Sequence, residues 1–239
     1  MKQRLDKVLT QRQLASSRSQ AENFVRLGKV LVNGQPAKKS GQMVTERDEI
    51  VVTLEERYVS RAGLKLASVA DELGVVFKDK TVLDIGSSTG GFTDYALQHG
   101  AKKVFAVDVG TDQLHPSLHG NPKIELHEKT DIRDFMTSEP IDVIVGDVSF
   151  ISLREILPHV AKTLMQPHTE LVAMVKPQFE AGKHQVNKGV IKNNKIRREI
   201  LADFEFWAQK KFVILDKRDS DVAGAKGNLE RFYKLRLAK

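Results

Sequence analysis

The stretch that decides the fold is Thr81-Val82-Leu83-Asp84-Ile85-Gly86-Ser87-Ser88-Thr89-Gly90-Gly91-Phe92. A β-rich run, TVLDI, enters a glycine-rich turn, and a helical pattern follows near residues 92–99. Glycines at such a junction let the backbone turn tightly and approach a ligand at a helix N-terminus. The pattern is G-x-x-x-G-G, with Ser88 where a dinucleotide fingerprint needs glycine. No Gly-Lys-Ser/Thr follows, so a phosphate-gripping loop is also disfavoured. An acid before the first glycine and two glycines at the helix entry suit S-adenosylmethionine instead. That ligand has no pyrophosphate, and its ammonium needs an acceptor.

Outward from this loop, β-rich and helical runs alternate: KVFAVD, an irregular segment, IDVIVGD, a helix near 152–164, then ELVAMVK. Asn194–Lys210 reads as an amphipathic helix that carries Phe204 and Trp207 as core residues, and FVILD and RFYKLRL close the series. Strands alternating with helices predict an α/β domain: a largely parallel, Rossmann-like sheet with helices on both faces. Asp108 ends the strand after the loop, where a carboxylate can accept both ribose hydroxyls of the cofactor. Asp131 follows the next strand, within reach of the adenine amino group. One such Asp is more often a strand-end cap than a ligand; three at successive strand ends beside this loop favour a cofactor site. The fourth strand ends Gly146-Asp147-Val148-Ser149-Phe150 and lacks the two prolines of the [DN]-P-P-[YF] clamp found in many base-nitrogen methyltransferases. A ribose hydroxyl fits as the acceptor.

Residues 1–57 have another character. They hold eleven of the 38 Lys and Arg residues and seven of the 31 Asp and Glu residues, a balance of 11 − 7 = +4 out of the net +7. Leu5, Val8 and Leu9, then Ala21, Phe24, Val25 and Gly28, have helical spacing. Ser17 with Gln20, or Ser19 with Glu22, forms a capping box for the second helix. Val30 and Val32, Asn33-Gly34 and the run Ile50–Leu54 then read as a small hairpin-containing sheet. Residues 55–60 break this pattern; the expected division is a small α+β module at 1–57, a linker at 58–62 and the α/β domain at 63–239. A basic module points to nucleic acid. Arg4, Lys7, Arg12, Arg18, Arg26 and Lys29 are the candidate RNA contacts.

Several classes are excluded. With no cysteine among 239 residues there is no disulfide framework, thiolate metal site or cysteine nucleophile. His115 and His119 flank Pro116 without a third ligand, so no metal is expected. The longest uncharged stretch is the ten residues Gln113 to Pro122, far short of the roughly 20 apolar residues that span a bilayer. MKQRLDKVL has no apolar signal core, so a cytoplasmic protein without a membrane partner is expected.

The ordered motifs resemble the TlyA family, often labelled hemolysin A, of ribosomal RNA ribose 2′-O-methyltransferases. In the front module the likeness rests on Arg4-Leu5-Asp6, Ser17-Arg18-Ser19-Gln20-Ala21, Gly28-Lys29-Val30 and Val32-Asn33-Gly34. In the body it rests on Ser60-Arg61-Ala62-Gly63-Leu64-Lys65-Leu66, DIGSSTGGFT, GDVSFISL, VKPQFE and Gly227-Asn228-Leu229-Glu230. The resemblance implies an RNA-binding domain, of the type named after small-subunit ribosomal protein four, joined to an FtsJ-like S-adenosylmethionine-dependent domain. It implies a catalytic tetrad of Lys65, Asp147, Lys176 and Glu230. Lys176 would be the base, Asp147 its orienting partner, and Lys65 with Glu230 would hold the ribose. The implied cofactor contacts are Asp84, Gly86, Ser87, Ser88, Gly90, Gly91, Phe92, Asp108, Asp131 and Asp147. The implied substrate is a cytidine ribose in ribosomal RNA or a ribosomal subunit. The residues themselves add a polar run after VKPQFE, Glu180, Lys183, His184 and Lys188, which reads either as a substrate-contacting loop or as a solvated one. The rival readings are a non-catalytic RNA-binding protein, a membrane-active hemolysin, and a methyltransferase acting on a base or on tRNA.

Overall fold

In the computed structural model, which describes residues 2–15, 17–26, 28–53, 58–182, 189–191, 193–224 and 227–238, the chain divides between Arg57 and Tyr58 into two units. The first contains strand β1 (Gln3–Arg4), helices α1 (Leu5–Gln11) and α2 (Arg18–Arg26), and strands β2 (Val30–Val32), β3 (Gln35–Pro36), β4 (Met43–Val44) and β5 (Ile50–Val52). Leu5, Val8 and Leu9 of α1 and Ala21, Phe24 and Val25 of α2 bury their shared faces against Val30, Val32 and Ile50. Ser17 caps α2 by accepting from the Gln20 N–H (3.2 Å), one of the two expected caps. Asn33 (φ 52°) and Gly34 (φ 76°) make the tight turn between β2 and β3, both in the left-handed region that a two-residue hairpin of this kind requires. Strands β3-β2-β5 form an antiparallel sheet, with β1 and β4 paired separately.

The second unit begins earlier than the sequence suggests. Tyr58 is buried with its ring 5.3 Å from Tyr95, the Val59 N–H donates to the Asp94 carboxylate at 2.8 Å, and helix α3 (Arg61–Ala67) starts inside the expected linker. Segment 58–62 is therefore part of the second unit, a correction that five residues are too short to reveal by periodicity.

From α3 the chain continues through β6 (Thr81–Ile85), α4 (Gly91–Gln98), β7 (Lys103–Val107), a 3₁₀ turn (Pro116–Leu118), β8 (Ile124–His127), β9 (Val143–Gly146), α5 (Leu153–Thr163), β10 (Glu170–Val175), α6 (Pro177–Glu180), α7 (Asn194–Ala208), β11 (Phe212–Asp219) and β12 (Arg231–Leu237). The sheet order is β11-β12-β10-β9-β6-β7-β8, and β12 alone runs against the others. Alternate residues face opposite layers. Leu83, Ile85, Ile144, Leu171 and Tyr233 pack toward α5 and α7, whereas Val82, Val143, Val145, Val172 and Phe232 pack toward α3 and α4. Phe204 of α7 is fully buried and Trp207 is half-buried against the same layer. Because β6, β7, β9 and β10 are parallel, their C-terminal ends, which carry the candidate residues, lie along one edge of the sheet. Open α/β sheets bind ligands at that edge.

Candidate active site

A chain reversal makes the rim of the site, where Gly86 (φ 77°) leaves β6 and Gly90 (φ 86°) begins α4. Gly90 sits in the left-handed region that favours glycine, and a Cβ on Gly91 would overlap Ser60 Oγ and the Gly63 backbone, so close packing at the start of α4 requires that glycine. Within this frame Asp84 is fully buried. Its Oδ2 accepts from the Thr93 N–H (2.9 Å) and Thr93 hydroxyl (2.7 Å), which fastens the first turn of α4. Its Oδ1 and the buried Ser87 Oγ have no hydrogen-bond partner among the described residues. Burial raises the Asp84 carboxyl to about 7, against the Thr93 bonds, and the neighbouring carboxylates Asp147 and Asp108 push in the same direction.

A cleft opens beside this loop, lined by Asp84, Gly86, Ser87, Ser88, Thr89 and Phe92 on one side and by Ala62, Asp147, Ser149 and Lys176 on the other. An orphaned carboxylate oxygen and a free hydroxyl in a cleft suit a ligand with a cationic amino group, so the residues present fit S-adenosylmethionine. Asp108 and Asp131 stand outside this lining. The Asp108 carboxylate accepts from the Ser88 N–H (2.8 Å) and the Gly110 N–H (2.7 Å), which shapes the loop. Asp131 is paired with Arg133 (2.6 Å), whose bonds hold its carboxyl down at about 2.

Four charged side chains meet beside the cleft, and of these Asp147 and Lys176 line it. Lys65 of α3 pairs with Glu230 at 2.5 Å, and Lys176, following β10, pairs with Asp147, following β9, also at 2.5 Å. Lys65, Lys176 and Glu230 are each at least nine-tenths buried. Burial pushes the Asp147 carboxyl upward, Lys176 and Lys65 pull it down, and Glu230 opposes them, so the four charges act on one another. Two cations and two anions make the cluster neutral, which is what lets it sit out of water. The Lys176 ammonium also donates to Ser149 Oγ at 2.6 Å.

The backbone around Glu230 is held on three sides. Its carbonyl accepts from the Ser220 N–H (3.0 Å), and the buried Arg197 of α7 donates to the Leu229 carbonyl (2.9 Å) and to Asp219 (2.6 Å). Asn228 donates to the Gly189 carbonyl (2.9 Å) and accepts from the Ile191 N–H (3.0 Å). Sequence reasoning missed Arg197, because its partners lie 22 and 32 residues away.

Glu180 corrects an expectation. Its carboxylate is buried beside Ser152 Oγ (2.6 Å) and the Leu153 N–H (2.7 Å) at the start of α5, so it caps a helix and does not face substrate. Lys183, His184 and Lys188 lie outside the described residues. Phe150, also missed, is 91% exposed with φ 67°, its ring 5.4 Å from Phe179. An aromatic residue in the left-handed region is uncommon, and such strain concentrates at functional sites.

In the first unit all six expected RNA contacts are exposed. Arg4 (2.7 Å) and Arg18 (2.9 Å) are anchored on the fully buried Asp6, and Arg12 reaches the carbonyls of Glu46 and Asp48. Arg26 donates to Asn23 (2.8 Å), while Lys7 and Lys29 have no carboxylate partner among the described residues.

Comparison with known proteins agrees with this geometry. The FtsJ-like methyltransferase family matches residues 58–236, and the S4 domain matches residues 3–50. The Campylobacter jejuni 23S rRNA (cytidine-2′-O)-methyltransferase TlyA is 38% identical, covering 93% of this chain and 95% of its own. The chain belongs to the TlyA-type family of FtsJ-like methyltransferases. Bacillus subtilis YqxC, provisionally named an rRNA methyltransferase, is 41% identical over 96% of this chain and 84% of its own. A solved Streptococcus thermophilus structure that carries a hemolysin name superposes with a TM-score of 0.77 at 36% identity, over all of this chain (100%) and 89% of that one. No helix among the described residues is long and apolar enough to cross a membrane.

Proposed function

We propose that this TlyA-type chain transfers a methyl group from S-adenosylmethionine to a ribose 2′-hydroxyl, on a cytidine of ribosomal RNA. The observation that carries the reading is the neutral, buried cluster of Lys65, Asp147, Lys176 and Glu230, two of whose members, Asp147 and Lys176, line the same cleft as Asp84 with its orphaned carboxylate oxygen. When bound, S-adenosylmethionine supplies a methyl group already activated on a sulfonium. Asp84 and Ser87 would hold its amino-acid end, Asp108 its ribose and Asp131 its adenine amino group.

The protein's own work is to place the acceptor oxygen and receive its proton. Burial raises the hold of Asp147 on a proton, and the hydroxyl proton would pass into the Asp147–Lys176 pair. Lys65 adds a second cation beside the developing negative charge on oxygen, and Glu230 fixes Lys65. Aligning sulfur, methyl and oxygen is an entropic contribution of about 7–11 kcal/mol in favourable cases. Phe150 offers a ring on which an extruded base can stack at the mouth of the site. The exposed cations of the first unit engage phosphates, which orients RNA without reading its sequence. Ribosomal subunits are the partner, and the cytoplasm is the place of action.

The test is transfer of labelled methyl to ribosomal subunits that lack the modification, followed by alkaline hydrolysis. A 2′-O-methyl group blocks cleavage, so label is expected in an alkali-resistant dinucleotide. Label in mononucleotides would put the methyl on a base, and no label on either subunit would remove the enzymatic reading.

A further inference from the structure

We propose that Ser149 is a positioning residue for Lys176, and the inference rests on the function proposed above. An ammonium has three N–H bonds in fixed tetrahedral directions. At Lys176 one is donated to Ser149 Oγ (2.6 Å) while the Asp147 carboxylate pairs with the ammonium at 2.5 Å, which restricts the directions left for the acceptor hydroxyl. With Asp147 alone the amine could pivot about one contact; two acceptors fix its orientation. Both acceptors come from the short stretch after β9, so one piece of backbone aims the nitrogen. Phe150 follows immediately at φ 67°, and that sharp turn holds Ser149 at the lip of the cleft it lines. Ser149 is exposed, unlike the four charged side chains it serves, so its hydroxyl contributes little to folding.

A hydroxyl that accepts from Lys176 keeps its own O–H free to donate. Serine and threonine meet this requirement, and alanine does not. Ser149→Ala is expected to lower kcat about 10-fold, the size of a lost hydrogen bond to a charged group. KM for S-adenosylmethionine stays within about 2-fold and the thermal midpoint is unchanged. The pH at which kcat rises shifts in this variant, because the partner of the proton-accepting pair has changed. Ser149→Thr keeps kcat within about 3-fold of wild type. A second readout needs no turnover: labelling of Lys176 by trinitrobenzenesulfonate, mapped by mass spectrometry across pH, is faster in Ser149→Ala than in wild type.

Wild-type kcat and pH profile in Ser149→Ala would overturn the proposal. So would a Ser149→Thr variant as slow as Ser149→Ala, since the hydroxyl would then not be the reason. Wild-type protein that methylates nothing would instead overturn the proposed function, and unchanged Lys176 labelling would separately refute the Ser149 contact.

Discussion

The two units handle charge in opposite ways. In the first, ten of the described cations are exposed, the six candidate RNA contacts among them, and the buried carboxylate Asp6 anchors two. In the second, two lysines and two acids are withdrawn from water and paired with each other. A screened, exposed charge is worth little singly and acts by number, as phosphate binding requires. A buried charge is costly to leave unpaired, so each member of the second cluster is individually indispensable. The first arrangement tolerates loss and suits the capture of a large polyanion. The second does not, and suits one chemical step.

Substitutions can break this contrast, and the largest effect is expected in the cleft. Asp84→Asn should weaken S-adenosylmethionine binding by about 10- to 100-fold by calorimetry, because a charge-assisted bond is lost. Wild-type affinity should also fall as pH drops through about 7, where the buried carboxyl takes up a proton. The sign for stability is reversed. A carboxyl whose folded value is raised binds more protons folded than unfolded, so the wild type loses stability as pH rises from about 4 through about 7. Without cofactor, the thermal midpoint of Asp84→Asn should therefore gain on wild type across that range. Equal affinity in the two proteins would mean that Asp84 serves only to cap α4.

An intermediate effect is expected at Asp6, the one buried charge among the described residues of the first unit. Its carboxyl is held well below the ordinary range, first by Arg4, then by Arg18 and the Lys7 N–H. The stability this contributes is present above about pH 4 and lost as pH falls below it. Asp6→Asn should destabilise residues 2–53 by about 1–3 kcal/mol, seen as faster amide exchange there and nowhere in the second unit. The smallest effect belongs to a single exposed cation. Lys7→Ala should weaken RNA binding less than about 3-fold and lower the slope of log affinity against log salt by about 1. A loss as large as that of Asp84→Asn would contradict the division of labour.

Much of this was legible in the sequence where the signal is local. The β-rich runs show on which strands the sheet is built, and the glycine loop shows where a ligand approaches. Gly34 and Gly90 announce backbone conformations that few other residues adopt. The tetrad came from ordered motifs of a family, because no spacing rule brings Lys65 to Glu230 across 165 positions. What stayed hidden depends on side chains meeting from distant elements. Glu180 reads as a solvated loop residue until the start of α5 is placed against it. Arg4 and Arg18 read as equivalent to Lys7 until Asp6 is found buried between them. Ser149 looks unremarkable until β10 delivers Lys176 to its hydroxyl.

On the proposed function, Lys176 serves the chemical step and does not hold the cofactor. Single-turnover methyl transfer to unmodified ribosomal subunits, run with Lys176→Ala beside wild type and paired with calorimetric titration of S-adenosylmethionine, tests it most directly. Transfer is expected to fall by about 10²–10⁴-fold, as for loss of a general acid–base group, while cofactor affinity stays within about 3-fold. Transfer at the wild-type rate would contradict it.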